Sequence, residues 1–416
     1  MAPGEVAELL AAELDGVLPR VHLRRQGRLL GWLGLVPPGT DLRSVLLEFS
    51  ASVAGGFYAP LAGRVFRVEV PGGLEGPTPS AEAVLVHEWC HALQDQNGIL
   101  LRLSLVLRDH DDAAFALASL LEGEALLAEI LDRAAGTGEA PPSPDELAGE
   151  FDLRAVAAEH PGVPHYFREG LALRYLAGYR LVFEARIRRG FDRGWLWSRP
   201  PLASGEVLHP ERLLDGDGAV GALDLVPPEG FVPAGCRELA RNRLGELGLR
   251  IWLEEGEVAS EEAEAAGAAL RGDLVIGFVC PEGGALAWLL AVEGPEAVRR
   301  LREAVQRRLL GRPLGPGLRD PPVLRCTRAR CLLSAGVADP VARRLLLDTR
   351  ERRIGGVDAL LAAYPELLDR LQALGVPPPE AGAPGPTGAG QGRAAPAGWA
   401  GGAPPRGGPR AQGRTR

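Results

Sequence analysis

Residues 83–95 read AVLVHEWCHALQD and residues 116–126 read ALASLLEGEAL. Both are apolar runs with polar groups set in their middles. The first run predicts a helix over about 79–97. Pro79 suits its first turn, where a missing N–H loses nothing, Thr78 is the N-cap, and Gly98 is the stop. The second predicts a helix over about 111–134, opened by the acidic cluster Asp109–Asp112. On the first helix His87 and His91 lie four apart, so both imidazoles reach one point, a spacing suited to a divalent metal. Glu88 occupies the next 100° of the helix, where a carboxylate reaches a metal-bound water without taking a coordination position.

Outward from these helices the signals are local. Residues 4–17 predict an amphipathic helix, and 27–36 end at the loop signal Pro37-Pro38-Gly39. Asp41 caps a helix over about 42–53, and Gly55-Gly56 breaks the chain. Residues 65–70 alternate apolar and polar and predict a half-buried strand. Helices are expected at 145–158 and 165–189, with a loop at 136–144. Residues 190–235 lack periodicity and predict an irregular, packed connection. Residues 237–255 predict helix. Strands at 273–280 and 285–292 flank a Pro-Glu-Gly-Gly turn and predict a β-hairpin, followed by an Arg-rich helix at 294–310. From Ala381 onward there is almost nothing to bury, which predicts a disordered tail. The expected fold is α+β and mostly helical: an N-terminal extension (1–26), a core with both polar-centred helices (27–235), a C-terminal lobe with the hairpin (236–375) and the tail (376–416).

The 416 residues carry a net charge of −8, with acidic and basic groups interspersed and 46 % apolar residues. All 46 basic residues are Arg, which excludes lysine chemistry. No basic stripe marks a nucleic-acid partner. No segment reaches the roughly 18 apolar residues of a membrane span. The N-terminus carries no leader signals, so the expected location is cytoplasmic as the sequence stands, and exported if the true start lies upstream. Five cysteines do not predict a disulfide framework, and the close pair Cys326 and Cys331 reads as two thiols or one local bridge in preference to a metal half-site.

Burying two imidazoles and a carboxylate in an apolar helix is costly without partners, and a metal is the simplest partner. Zinc in a catalytic site takes three protein ligands and keeps one position open. Candidates for the third ligand are Asp109, His110, Asp111, Asp112, Glu122 and Glu124. Glu122 is favoured. Gly123 beside it is unfavourable in a helix by about 1 kcal/mol and implies close approach of another backbone. Glu124 reads as a supporting or solvated carboxylate, and Asp109–Asp112 as helix-start charges. Trp89 is expected in the core and Cys90 as a small apolar filler. Arg271-Gly-Asp273 reads as a loop ion pair.

HEWCHALQDQ, followed some thirty residues on by EGEA, resembles a bacterial group of HExxH proteins of gluzincin type, with a "HELTHALQDQ" helix and an "EGDA" helix. LLGWLGLVPPGTDL, AGGFYAPLAGRVFRV, RPPLASGEVLHPERLL and the hairpin region are similar to its flanking segments, so the resemblance spans about 27–310. Ala59 stands where that group has Asp. The resemblance implies Zn2+ on His87, His91 and Glu122, Glu88 as general base, and a peptide or protein substrate. A peptidase also needs a donor for the oxyanion; His209, in the matched LHPE segment, is the expected donor, with Tyr58, His165 and Tyr166 as alternatives. Two other readings are an inactive gluzincin-like scaffold or binding protein with a structural metal, and a metal-free, α-helical interaction protein in which HEWCH is a coincidence.

Overall fold

The computed structural model describes residues 3–53, 55–68, 81–150, 160, 162–190, 193–215 and 222–376. The chain opens with helices α1 (Pro3–Val17), α2 (Arg20–Leu33) and α3 (Leu42–Val53), then the hairpin β1 (Gly56–Ala59) and β2 (Arg64–Arg67). Among the described residues, helices α4 (Ala81–Asn97), α5 (Leu100–Val106), α6 (Asp111–Thr137), α7 (Pro144–Glu150) and α8 (His165–Arg189) follow. The connection at 190–235 holds the short helices α9 (Arg193–Ser198), α10 (Ser204–Leu208) and α11 (Pro210–Leu214) and strand β3 (Ala222–Val226). Next come β4 (Arg237–Asn242), α12 (Gly245–Glu254), α13 (Ser260–Ala268), β5 (Leu270–Cys280), β6 (Gly283–Val292) and α14 (Gly294–Gly311). The chain then forms β7 (Val323–Cys326), β8 (Arg330–Ala335), α15 (Asp339–Asp348), β9 (Arg350–Ile354), α16 (Val357–Ala363) and α17 (Glu366–Ala373). The fold is α+β, mostly helical with small antiparallel sheets. The predicted extension of β2 to residue 70, the Thr78 cap and Pro79, residues 151–158 of the helix expected at 145–158, and the tail from Ala381 lie outside the described residues.

The hairpin expected at 273–292 is the centre of a five-stranded sheet of order β4-β5-β6-β8-β7. Its strands read as unbroken apolar runs because both faces are covered. Trp288 and Leu290 of β6 face the main core with Leu30, Leu117 and Trp252, while Leu274, Ile276 and Phe278 of β5 and Leu289 of β6 face Leu345 and Leu346 of α15. A strand buried on two sides loses the apolar–polar alternation of a half-exposed one. The main core crosses residue 235 without interruption, from Leu29 to Trp288. Helix α2 likewise crosses residue 26, and Gln26 is buried there, donating to Arg241 O at 2.9 Å.

The helix expected at 237–255 is corrected. Arg237–Asn242 is strand β4, paired antiparallel with β5, and helix begins only at Gly245. Arg-Glu-Leu-Ala-Arg favours helix locally, and the open edge of β5 overrides it by taking the backbone as a ladder. The same pairing brings Cys236 to Cys280, and a second bridge joins Cys326 to Cys331. Four of the five cysteines are therefore bridged. The first bridge spans 44 residues and depends on strand register, which spacing in the chain does not reveal.

Helices α6 and α8 pack backbone to backbone. A Cβ on Gly123 would lie 2.2 Å from the carbonyl of Gly178, so the glycine before Glu124 marks the close approach inferred from the sequence. At the other side of the core Arg308 is wholly buried. It donates to Trp252 O at 2.7 Å, to Leu33 O at 3.3 Å and to Arg312 O, and lies over the Trp252 ring. One guanidinium thus satisfies carbonyls at the C-terminal ends of α2, α12 and α14.

Candidate metal centre

Helix α4 presents His87 and His91, and α6 lays Glu122 between them. One ligand atom from each lies within 4.8 Å of the others. Glu122 Oε2 is 3.2 Å from His87 Nε2 and 3.3 Å from His91 Nε2. Burial opposes charge on His87, but the Glu122 and Glu129 carboxylates outweigh it and hold its pKa up at about 10. His91 is raised, against its own burial, by the Glu122 and Glu88 carboxylates, and the two imidazoles drive Glu122 well below the usual carboxylate range despite its burial. The Glu122 carboxylate thus lies within ion-pair reach of both imidazoles. A divalent metal held by these three residues would take the place of protons on the rings, since its ligands must be neutral imidazole and carboxylate.

The donor set fits a metal, because both rings are turned so that Nε2 points inward. His91 Nδ1 is 2.8 Å from Gln94 Oε1, and Gln94 Nε2 donates to Leu121 O at 3.0 Å and Glu124 Oε2 at 3.1 Å. Glu124 also accepts from Trp197 Nε1 at 2.9 Å. His87 Nδ1 faces Glu129 Oε2 at 3.5 Å. A hydrogen bond on Nδ1 selects the tautomer that leaves Nε2 free to ligate.

Glu88 is buried beside the three, and burial raises its pKa. Its Oε2 accepts the backbone N–H of Tyr58 at 2.7 Å. That contact requires β1 to lie hard against α4, which Gly56 permits: a Cβ there would meet Val84 Cγ1 at 2.8 Å and Phe66 O at 3.0 Å.

Tyr175 of α8 completes the group. Its ring stacks on His87 at 6.0 Å between centroids, and its hydroxyl, buried and set against the Glu122 carboxylate, is held protonated far above the usual tyrosine range. Glu122 and Glu129 are two turns apart on one face of α6, so the helical period signals Glu129. Tyr175 and Trp197 lie on other helices, and no spacing rule reaches them.

His209 is not brought to this group. Its Nε2 lies 2.6 Å from Glu246 Oε1, next to Arg212, which binds the same carboxylate at 3.1 Å. Helix α10, which leads into His209, is tied to Asp112 through Ser204 N at 2.6 Å. Asp112 is ten residues before Glu122, roughly 15 Å along the helix axis. The alternatives are also engaged elsewhere: Tyr58 O–H donates to Asp95 and Tyr166 O–H to Asp111, while His165 begins α8. Trp89 is corrected as well. It is 57 % exposed and Leu93 is 53 % exposed, because the ligand face of α4 and not its Trp89 face turns inward. Cys90 is buried as expected. Asp273 is no loop ion pair: it sits in β5, buried, and accepts from Leu244 N, Gly245 N and Trp288 Nε1.

No family model, curated protein or solved structure matches this chain. Among the described residues no helix is long and apolar enough to cross a membrane. Among the described residues, His87, His91 and Glu122 form a group that could hold a metal ion.

Proposed function

We propose that the chain is a zinc-dependent peptidase of gluzincin type. The observation that carries this reading is Glu88: a carboxylate buried beside a two-histidine, one-glutamate cluster, with Oε2 engaged by Tyr58 N–H and Oε1 left to move a proton. A structural metal site has no use for that group. Two imidazole nitrogens and one carboxylate oxygen suit zinc, with room for a further ligand.

When bound, zinc supplies Lewis-acid polarisation of a scissile carbonyl and of the attacking water. Glu88 Oε1 accepts a proton from that water and delivers it to the departing amine nitrogen. Tyr175, kept protonated, donates its O–H to the oxygen that gains charge, the part that His209 was expected to play. Gln94 and Glu129 hold the two imidazoles against rotation. The two disulfides support work in an oxidising compartment, where such bridges persist.

The test is metal content by mass spectrometry on protein purified without chelator or affinity metal, beside His91→Ala. About one zinc per chain, lost in the variant, and hydrolysis of labelled casein by the wild type are expected. Absence of stoichiometric metal from the wild type sinks the reading.

A further inference from the structure

Strand β1 is fastened to helix α4 through one residue used twice. Tyr58 donates its backbone N–H to Glu88 Oε2 and its phenolic O–H to Asp95 Oδ2, each at 2.7 Å. Glu88 and Asp95 are two turns apart on the same face of α4. The side chain of Asp95 is buried and gripped by Arg102 of α5, whose Nε and Nη2 reach its two oxygens at 2.6 and 2.8 Å. Arg102 also donates to Pro60 O at 3.0 Å, just past β1, and to Leu374 O, just past α17.

We infer that Tyr58 is a positioning residue for Glu88, with the Asp95–Arg102 pair as its anchor and the end of α17 as the brace behind the anchor. The phenol fixes where β1 sits along α4, and this register aims the Tyr58 amide at Oε2. The amide then holds one oxygen of a side chain that otherwise samples several rotamers, so the other oxygen is presented in one place. A bidentate Arg–carboxylate pair suits the anchor because its fork fixes direction as well as distance. A displacement of 1 Å in a proton-transferring group lowers rate by about 100-fold. The inference rests on the peptidase reading for the task of Glu88; the clamp itself stands on the hydrogen-bond geometry.

The experiment compares wild type, Tyr58→Phe and Glu88→Ala, all zinc-loaded, by amide hydrogen exchange resolved to residue 58, with zinc content and kinetics on labelled casein. Tyr58→Phe is expected to keep its zinc, to exchange the residue 58 amide about 10-fold faster or more, and to lose about 10- to 100-fold in kcat with KM within about twofold. Glu88→Ala is expected to expose the same amide. Asp95→Asn, a weaker acceptor of the same shape, should fall between wild type and Tyr58→Phe, and it serves if the latter does not fold. Unchanged exchange at residue 58 overturns the inference, and so does faster exchange with kcat intact. A lower melting temperature with kcat and KM preserved shows a merely structural role and also overturns it. If the wild type hydrolyses nothing, the peptidase reading fails separately. The exchange data then decide the clamp: loss of protection in both variants upholds it, and retention in either removes it.

Discussion

The carboxylate of Glu129 stands 3.5 Å from Nδ1 of His87, on the side of the ring away from Glu122. The imidazole is thus held between two glutamates of α6, with Glu122 at Nε2 in the group that could hold a metal ion and Glu129 at Nδ1. Glu129 Oε1 has no hydrogen-bond partner among the described residues, so its whole contribution runs through Oε2 and the histidine.

Glu129→Gln is therefore expected to weaken zinc binding about 10- to 100-fold, the usual consequence of losing an orienting partner. Competition with a fluorescent chelator measures it. At saturating zinc the variant should recover most of its turnover. Unchanged affinity would remove Glu129 from the site.

Glu88→Gln keeps the size of the side chain and its acceptor for Tyr58 N–H but cannot take a proton. Hydrolysis of labelled casein should fall by about 10²- to 10⁴-fold while zinc stays at the wild-type level. Retained turnover would take Glu88 out of the mechanism.

Gly123→Ala places a methyl group 2.2 Å from the Gly178 carbonyl, so α6 and α8 must separate. Overpacking of this kind costs about 1–3 kcal/mol. It also draws Tyr175 away from Glu122, and turnover should drop more than zinc content does. Thermal unfolding and kinetics on the same preparation test both parts.

Arg308→Met leaves the carbonyls of Trp252 and Arg312 without their buried donor, while Leu33 O keeps the bond from Trp252 Nε1 at 2.8 Å. The expected loss is about 3 kcal/mol or more by denaturant unfolding, with zinc binding unaltered in the surviving folded protein. A loss below about 1 kcal/mol would mean that water reaches those carbonyls.

The stability contributed by Asp112 and Glu206 should fall as pH rises from about 4 through about 7. Burial, reinforced by the neighbouring charges of Asp273 and Glu246, outweighs the hydrogen bonds from Ser204 and raises Asp112 from 3.8 to about 7. Burial likewise lifts Glu206 from 4.5 to about 7, against the amides of Leu202 and Ala203. Both folded values lie above the unfolded ones. The native state therefore holds protons that the unfolded chain has released, and this stabilisation is full at low pH and lost through the folded pKa. Melting temperature measured from pH 5 to pH 8 should show the decline, and Asp112→Asn should flatten it. An equally steep decline in the variant would assign the effect elsewhere.

Local periodicity alone located α4 and α6 and the β5–β6 hairpin, because a long apolar face or run leaves a record within its own segment. The candidate metal-holding residues share that advantage: His87 and His91 are one turn apart, and Glu122 lies in an apolar stretch where a carboxylate demands a reason. Everything that depends on which segment meets which was decided by the tertiary structure. Residues 237–242 became strand because β5 offered an edge. Cys236 met Cys280 through that ladder's register. His209 went to Glu246, and Tyr175 arrived at Glu122 because Gly123 and Gly178 let two backbones touch. A helix period tells which side chains share a face, but only packing tells what stands opposite that face.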